Sequence, residues 1–304
     1  MQVSFRNIFT DLNGIDYSVI KAHGAYCLSM QSSLENLARV KKAYQSSICF
    51  KSQIKDNCFL PISLNQDPKQ KLVTALFDYQ DCGSLESFLN KAPAVLQYAI
   101  GKKLGLILRQ LHSYPLSSEQ KQKAIAHHNK FMEHLASYIS ALPHFKNDKY
   151  ALEALSSRYD HFKSYKAVLK YGTLKAQKIM LTKDSSVLLL PSYGYGPGDL
   201  CEDFASLECH FSKNYPSVCQ GAIDGYFNQK VPSKFWLHFA LYCALYSLWK
   251  CALNVEQDPS LMAKMQEISN HIREDFDNFK RPIPVWYQDK ALDNLRLKSL
   301  KLGL

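Results

Sequence analysis

Residues 168–204 read VLKYGTLKAQKIMLTKDSSVLLLPSYGYGPGDLCEDF, and this stretch decides the fold. Its apolar runs at 168–169, 179–181 and 187–190 are short, and polar or glycine-containing segments separate them. Short apolar runs bounded by turn residues are typical of buried strands. After Gly198 the sequence continues as a helix. The pattern therefore predicts strands and loops in alternation, followed by a helix.

These spaced motifs resemble the catalytic core of the aminoglycoside phosphotransferase and choline kinase family, whose fold is related to that of protein kinases. The family's first loop reads His-Gly-Asp-x-His-x-x-Asn, a later strand ends in Ile-Asp, and Gly-Asp-Pro-x-x-Asp follows. The scaffold positions match at Gly172, Gly198, Asp199 and Asp203. The C-terminal third resembles a bacterial branch of the family through Gly225-Tyr226-Phe227, Val231-Pro232 and Pro284-Val285-Trp286-Tyr287.

The positions that carry the family's chemistry do not match. Thr173 stands at the catalytic aspartate, Lys178 at the metal-binding asparagine and Pro191 at the metal-binding aspartate, while Tyr171 and Lys175 replace the two histidines. A neutral hydroxyl is no base near pH 7, and losing a general base typically costs about 100- to 10,000-fold in rate. Magnesium requires oxygen ligands, which neither lysine nor proline supplies. The resemblance therefore implies a catalytically degenerate pseudokinase without a bound metal.

Three basic residues are candidates for ligand binding. Lys175 and Lys178 lie in a loop that faces the phosphates in the family, so their ammonium groups could bind an anion directly, in place of magnesium. The alternative is that both lysines are merely solvated. In the family the strand after the first hairpin carries a basic residue that pairs with phosphates, and Arg39 is the candidate here; the alternative is a surface arginine on an edge strand. ATP is thus a candidate ligand, whereas magnesium is not expected.

The resemblance implies an α+β, protein-kinase-like fold with a mostly β small lobe over residues 1–81 and a mostly helical large lobe over 82–304. In the small lobe, a hairpin is predicted between Ala25–Met30 and Leu37–Val40, and a strand over Leu72–Phe77. Asn13-Gly14 and His23-Gly24 are candidates for a phosphate-covering loop.

The large lobe is predicted to begin with a hinge and two helices. The hinge is expected at Asp78–Gly83, and Ser84 is expected to cap a short helix through Asn90. A long helix is predicted over Pro93–His112, because its apolar residues recur at helical spacing. Two glycines on it, at positions 101 and 105, would permit close packing against a neighbour.

Composition indicates a globular protein of the reducing cytoplasm. The formal charge is +10, which suits an anionic partner such as a nucleotide. The basic residues are scattered, so nucleic acid is not expected as a partner. Nine cysteines without a Cys-x-x-Cys spacing argue against a zinc site or a disulfide framework. Neither a signal peptide nor a membrane-spanning run is expected.

Two other functions stay open at this point. An active ATP-dependent kinase would need relocated acidic groups, for which Asp184 and Asp199 are the candidates. A purely structural interaction protein would bind neither nucleotide nor anion. The identity of a substrate does not follow from the sequence, since acceptor specificity depends on the shape of the site.

Overall fold

The computed structural model describes residues 6–22, 24–141, 146–163, 167–252, 259–288 and 290–303. The strands of these ranges are β1 (Arg6–Thr10), β2 (Asp16–Ala22), β3 (Ala25–Ser33), β4 (Pro61–Asp67), β5 (Leu72–Asp78), β6 (Cys82–Ser84), β7 (Ala167–Lys170), β8 (Ile179–Thr182), β9 (Val187–Leu189) and β10 (Gly196–Asp199). The α-helices are α1 (Leu37–Gln53), α2 (Leu85–Leu89), α3 (Ala94–Ser113), α4 (Ser118–Ala141), α5 (Asp148–Ser157), α6 (Leu200–Phe211), α7 (Pro216–Phe227), α8 (Ser233–Ala252), α9 (Pro259–Asp275) and α10 (Ala291–Lys301).

The chain divides into two compact units. The first contains the residues up to Ala92 together with Tyr171–Gly196, and the second contains Pro93–Lys170 together with the residues from Pro197 onward. The first is mostly β and the second mostly helical, as the sequence predicts for the protein-kinase-like α+β fold.

An antiparallel sheet with the strand order β1-β2-β3-β5-β4 forms the centre of the first unit. In β5 the residues Val73, Ala75 and Phe77 are fully buried, while their neighbours are half-buried. This alternation is the two-residue period of a strand with one covered face. Helix α1 packs against the sheet and contributes Val40 and Ala43 to the core.

A second small sheet completes the core of the first unit. Strands β6, β8 and β9 pair antiparallel, and Met180, Leu188 and Leu190 belong to the same buried cluster as the residues of the large sheet. These contacts are the reason that Tyr171–Gly196 groups with the N-terminal residues. The core of the first unit is therefore built from two separate stretches of the chain.

The predicted hairpin of Ala25–Met30 with Leu37–Val40 is wrong, because Leu37–Gln53 is a helix. Strand β3 pairs instead with β2, and Gly24 closes that turn with a φ of +83°. A four-residue window is too short to distinguish a strand from the first turn of a helix. Other local predictions are confirmed: Ser84 caps α2, its side chain accepting from the amide of Ser87, and α3 covers the predicted long helix.

Two pairs of glycines lie where the backbones of α3 and α7 come into contact. Gly101 and Gly105 on α3 face the backbone of α7, and Gly221 and Gly225 on α7 face the backbone of α3. A Cβ atom at position 105 would lie 2.0 Å from the carbonyl oxygen of Ala222. Backbones that approach this closely leave no room for a side chain, so the predicted close packing at the two α3 glycines is confirmed.

A buried ion pair fixes α10 to the second unit. Asp224 on α7 is 2% exposed, and the guanidinium of Arg296 donates to both of its oxygens, at 2.7 and 2.8 Å. The hydroxyls of Tyr98 and Tyr287 donate to the same carboxylate. Four donor groups thus satisfy one buried charge, which is the condition for such a pair to be tolerated.

The cysteines and the apolar character of the helices are two further features of the chain. Eight cysteines whose side chains the structure describes are free thiols, and all of them except Cys49 are buried: Cys27, Cys49, Cys58, Cys82, Cys201, Cys209, Cys219 and Cys243. Among the helices in the described ranges, none combines the length and the apolar character needed to cross a membrane.

Candidate functional site

The loop between β7 and β8 has the backbone geometry that its glycine indicates. Gly172 has a φ of +107°, and a Cβ atom there would lie 2.7 Å from the Cα of Gly194. Only glycine avoids that collision with backbone. The neighbouring Tyr171 is fully buried, and its hydroxyl donates to the carbonyl of Leu190 at 2.9 Å. Tyr171 therefore supports the loop from within the core.

Two positions that the resemblance assigns to chemistry carry no carboxylate. Thr173 is half-buried, and Pro191 is buried and has no polar side-chain atom. The next residue, Ser192, is fully buried, and its hydroxyl donates to the carbonyl of Tyr171 at 2.9 Å. These contacts fix the chain after β9, but they supply no anionic oxygen for a divalent cation.

The third position holds a buried cation. Lys178 is only 3% exposed, and its Nζ lies 4.5 Å from the centroid of the Tyr193 ring. Burial lowers the pKa of Lys178 to about 8; the charge of Asp11 opposes this shift and that of Lys175 adds to it. An ammonium at the position matched to a metal-binding asparagine repels a divalent cation.

The β1–β2 turn closes onto the same tyrosine. The hydroxyl of Tyr193 donates to Oδ2 of Asp11 at 2.9 Å, and Nδ2 of Asn13 donates to that hydroxyl at 2.8 Å. Asn36, the residue that precedes α1, donates to the carbonyl of Asn13 at 2.8 Å. The Asn13-Gly14 turn is therefore held in place by hydrogen bonds within the first unit.

Tyr17 presents a buried hydroxyl to this group of residues. It is fully buried, and its hydroxyl has no hydrogen-bond partner among the residues that the structure describes. Its ring stacks on Phe9 with centroids 4.5 Å apart. Burial raises the pKa of Tyr17, and Tyr171, Asp11 and Tyr193 raise it further. The hydroxyl therefore lies near the Asp11 carboxylate and Tyr193.

The three basic residues selected from the sequence converge here. Arg39 lies on α1 rather than on a strand, and β3, which follows the first hairpin, contains no lysine or arginine. The guanidinium of Arg39 donates to Oδ1 of Asn36 at 2.6 Å. Its positive charge lowers the pKa of Tyr193, which burial and Asp11 raise. We define the Lys178 cluster as Asp11, Tyr17, Arg39, Lys175, Lys178 and Tyr193. It contains three cationic side chains and one carboxylate, which is a composition that attracts anions.

The scaffold positions Asp199 and Asp203 lie in the second unit and support local structure. Asp199 accepts from the amide of Cys201 at 2.8 Å and forms a capping box with Glu202 at the start of α6. Burial raises the pKa of Asp199 to about 7. Asp203 is fully buried, and its Oδ2 lies 3.1 Å from Nε2 of His112.

Gly198 lies against an ion pair of the same unit. A Cβ atom there would lie 2.4 Å from the side chain of Lys170, which pairs with Glu202 at 3.0 Å. Both are flexible side chains, so the glycine is close to this pair but is not enforced by backbone contact.

The relocated acids of the active-kinase alternative have other partners. Asp184 is exposed in the β8–β9 turn, where Thr182 and Ser186 donate to its two oxygens. The carboxylate of Asp199 caps α6. Both carboxylates are thus engaged in local hydrogen bonds rather than presented as a metal or proton site.

A small pocket lies in the first unit beside β6 and β8. Its volume is about 120 Å³, and its wall includes Ile8, Val19 and Met180, with Arg6 and Ser84 at its polar side. Pockets for drug-sized ligands usually measure about 300–1,000 Å³. This pocket can therefore hold only a small group, such as one flat ring system.

From the sequence, Tyr193 is expected beside a ligand cleft together with Thr173 and Lys175, whereas Asp11 and Tyr17 were missed. The Asp-Leu-Asn-Gly series at 11–14 indicates a turn. Nothing in the local pattern indicates that this turn contacts a residue 180 positions later, as the Asn13–Tyr193 hydrogen bond does. The sequence offers one other indication of a site, which is the residue types around Gly172: a tyrosine and two lysines lie within a few positions of this glycine.

Replacing Lys178 by Met is expected to stabilise the protein at pH 7. The folded pKa, about 8, lies below the ordinary 10.5. The buried charge therefore disfavours folding below pH 8, by on the order of 3 kcal/mol. That penalty disappears as the pH rises from 8 to 10.5, so the variant's advantage should disappear in the same window. Urea unfolding of both proteins at pH 7 and pH 10 measures this difference.

The control for this prediction is Lys183→Met, since Lys183 is exposed and pairs with Asp81 on the surface. It should change the unfolding free energy by less than about 0.5 kcal/mol at either pH. An advantage of Lys178→Met that is equal at pH 7 and pH 10 would show that Lys178 is not buried as a charge.

Known structures share this fold. The aminoglycoside phosphotransferase APH(2″)-IIia, solved as a complex with GDP and kanamycin, superposes with a TM-score of 0.68 at 12% identity, over 90% of this chain and 94% of that one. A choline/ethanolamine kinase family protein from Mesorhizobium loti gives 0.60 at 11% identity, over 96% and 92%. An ethanolamine kinase from Plasmodium vivax gives 0.58 at 11% identity, over 89% and 81%.

These similarities confirm the predicted protein-kinase-like, two-lobe fold. Neither a protein-family model nor a curated protein matches the sequence. At 11–12% identity, a structural likeness establishes the fold and not the activity.

Proposed function

We propose that this chain is a small-molecule kinase homologue of the aminoglycoside phosphotransferase and choline kinase type that has lost metal-dependent phosphoryl transfer. It would act in the bacterial cytoplasm as a ligand-binding pseudokinase. The observation that carries the proposal is the buried ammonium of Lys178 at the position matched to a metal ligand. Phosphoryl transfer in this fold class depends on metal ions that neutralise the phosphates.

The other substitutions support the same conclusion. Thr173 supplies no base and Pro191 no ligand atom, so base and metal are lost together. The carboxylates that could compensate, Asp184 and Asp199, are engaged in a turn and in a helix cap. An active enzyme with relocated acids is therefore the weaker alternative.

A binding role is favoured over a scaffold without any ligand. Structural neighbours were solved with GDP or ADP. In this chain, the cationic cluster and the small pocket beside β6 and β8 are features that a nucleotide or another small anionic molecule could use.

The test is phosphoryl transfer and nucleotide hydrolysis. The purified protein, incubated with ATP or GTP and magnesium, is expected to form no ADP or GDP above the level of a heat-inactivated sample. An active kinase of the same fold serves as the positive control for detection. Magnesium-dependent turnover that Thr173→Ala or Lys178→Met abolishes would overturn the proposal.

A further inference from the structure

Helix α10 has two sides, and the rest of the second unit covers one of them. Leu292 and Ser299 are buried. Between them in sequence, Arg296 pairs with Asp224 of α7. Positions 292, 296 and 299 follow at intervals of four and three residues, which places them on one side of a helix. On the opposite side, the residues at 293, 294, 297, 298, 300 and 301 are exposed.

Leucines are concentrated on the exposed part of this segment. Leu297, Leu300 and Leu302 are 57%, 64% and 60% exposed. In the described part of the chain eleven large apolar residues are exposed, and these three lie within six positions of one another. Single apolar residues on a surface are ordinary, whereas a group of them marks a contact surface. The concentration therefore indicates that something covers this side of α10.

Two lysines lie beside these leucines. Lys298 and Lys301 are exposed and three residues apart, as are Leu297 and Leu300, so α10 presents a row of each kind side by side. Between positions 294 and 303 the sequence has three basic residues and no acidic one. We define the α10 patch as Leu297, Lys298, Leu300, Lys301 and Leu302. Its chemistry fits a partner that accepts apolar side chains and carries negative charge.

We propose that the α10 patch binds the surface of an anionic lipid bilayer. Helices that lie in a membrane interface place leucines at the boundary of the acyl chains and lysines among the headgroups. The long stem of a lysine lets its ammonium group reach the headgroups from that depth. Anionic lipids attract lysines near the membrane surface, and the formal charge of +10 over the whole chain adds to this attraction. The proposal goes beyond the proposed function, since the Lys178 cluster has no residue on α10.

Two other partners fit the α10 patch less well. In a symmetric dimer through this patch, Lys298 and Lys301 would face lysines of the second copy, which repel them. A helix that enters a protein groove uses apolar anchors at intervals of three, four and seven residues. Here the leucines span less than two turns, and Leu302 follows the last residue of α10. A bilayer surface has no fixed pockets and imposes no such spacing.

The experiment is cosedimentation of the full chain with lipid vesicles at low salt. We expect saturable binding to vesicles of equal parts phosphatidylglycerol and phosphatidylcholine, and at least about tenfold weaker binding to pure phosphatidylcholine. Lys298→Gln combined with Lys301→Gln should weaken binding to the anionic vesicles about 25-fold, since each lysine near such a surface contributes about fivefold. Leu297→Ser combined with Leu300→Ser should weaken it at least about tenfold, because apolar burial is lost.

Matched controls lie on other exposed surfaces of the same unit. Lys230→Gln combined with Lys234→Gln removes the same charge, and Ile125→Ser removes an apolar side chain that is 53% exposed. Both proteins should bind the anionic vesicles almost like the wild type. All the substituted residues are exposed, so each variant should keep the melting temperature of the wild type, which verifies that it is folded.

Four results would overturn the proposal. An equal loss in the control lysine variant would show that net charge alone attracts the protein to vesicles. Full binding by the double leucine variant would show that the leucines do not enter the interface. Binding to polyglutamate through the α10 patch, without binding to vesicles, would assign the patch to an acidic protein. A dimer that the leucine substitutions dissociate, again without vesicle binding, would assign it to a second copy of the chain.

Discussion

The variant Gly105→Ala is expected to be less stable than the wild type by about 3 kcal/mol, the upper part of the range for overpacked cores. The added methyl group would meet the carbonyl oxygen of Ala222 at 2.0 Å and the amide nitrogen of Tyr226 at 2.8 Å. Both atoms are backbone, so no rotamer change relieves the collision and the two helices must separate. The gain in intrinsic helix propensity, about 1 kcal/mol, is too small to compensate. Urea unfolding measures the difference.

Gly83→Ala is the control, since a Cβ atom there meets no atom within 4 Å. Its stability should stay within about 0.5 kcal/mol of the wild type. A double variant with Gly221→Ala gives a second check. Once the first alanine has separated α3 and α7, the second should cost less than it does alone. A Gly105→Ala protein as stable as the wild type would show that the helices are not in backbone contact.

The second large effect is expected for Asp224→Asn, which should destabilise the protein by about 3 kcal/mol. The change keeps the shape of the side chain but removes the charge that Arg296 pairs with. Removing one partner of a buried ion pair lowers the free energy of unfolding by about 3–5 kcal/mol. The lower end of this range applies here because the Arg296 side chain is 23% exposed. Protease sensitivity of α10 should rise together with the loss of global stability.

Asp293→Asn provides a matched control on the same arginine. Asp293 also pairs with Arg296, but its side chain is 78% exposed. Surface ion pairs contribute about 0–1 kcal/mol, so this variant should unfold almost like the wild type. Equal effects of the two substitutions would contradict the assignment of Asp224 as the anchor of α10.

Local sequence patterns predicted the elements that depend on local physics. The strands around residues 179–190, the Ser84 cap and the helix with Gly101 and Gly105 each follow from periodicity or from one residue's conformational preference. The prediction of a hairpin strand at Leu37–Val40 is wrong because the buried residues of α1 recur at helical spacing as far as Phe50, beyond the four residues on which the prediction rested.

The candidate site was less predictable because its contacts join distant parts of the chain. Motif matching selected Thr173, Lys178 and Pro191 as departures from the family pattern. It did not reveal whether Lys178 is buried or solvated, since that depends on Tyr193 and on the β1–β2 turn. A spacing rule describes neighbours in sequence, and a buried charge is a property of neighbours in space.

The discontinuity of the first unit has a consequence for protein synthesis. Met180, Leu188 and Leu190 complete a core whose other residues precede Ala92, and the whole of Pro93–Lys170 is translated in between. At about 5–20 residues per second, that segment takes the ribosome roughly 4–16 s. During this interval the nascent N-terminal sheet presents an uncovered apolar surface, which is the kind of surface that holdase chaperones recognise. Codons that slow translation within Pro93–Lys170 should therefore reduce the yield of folded protein more than the same codons placed after Gly196.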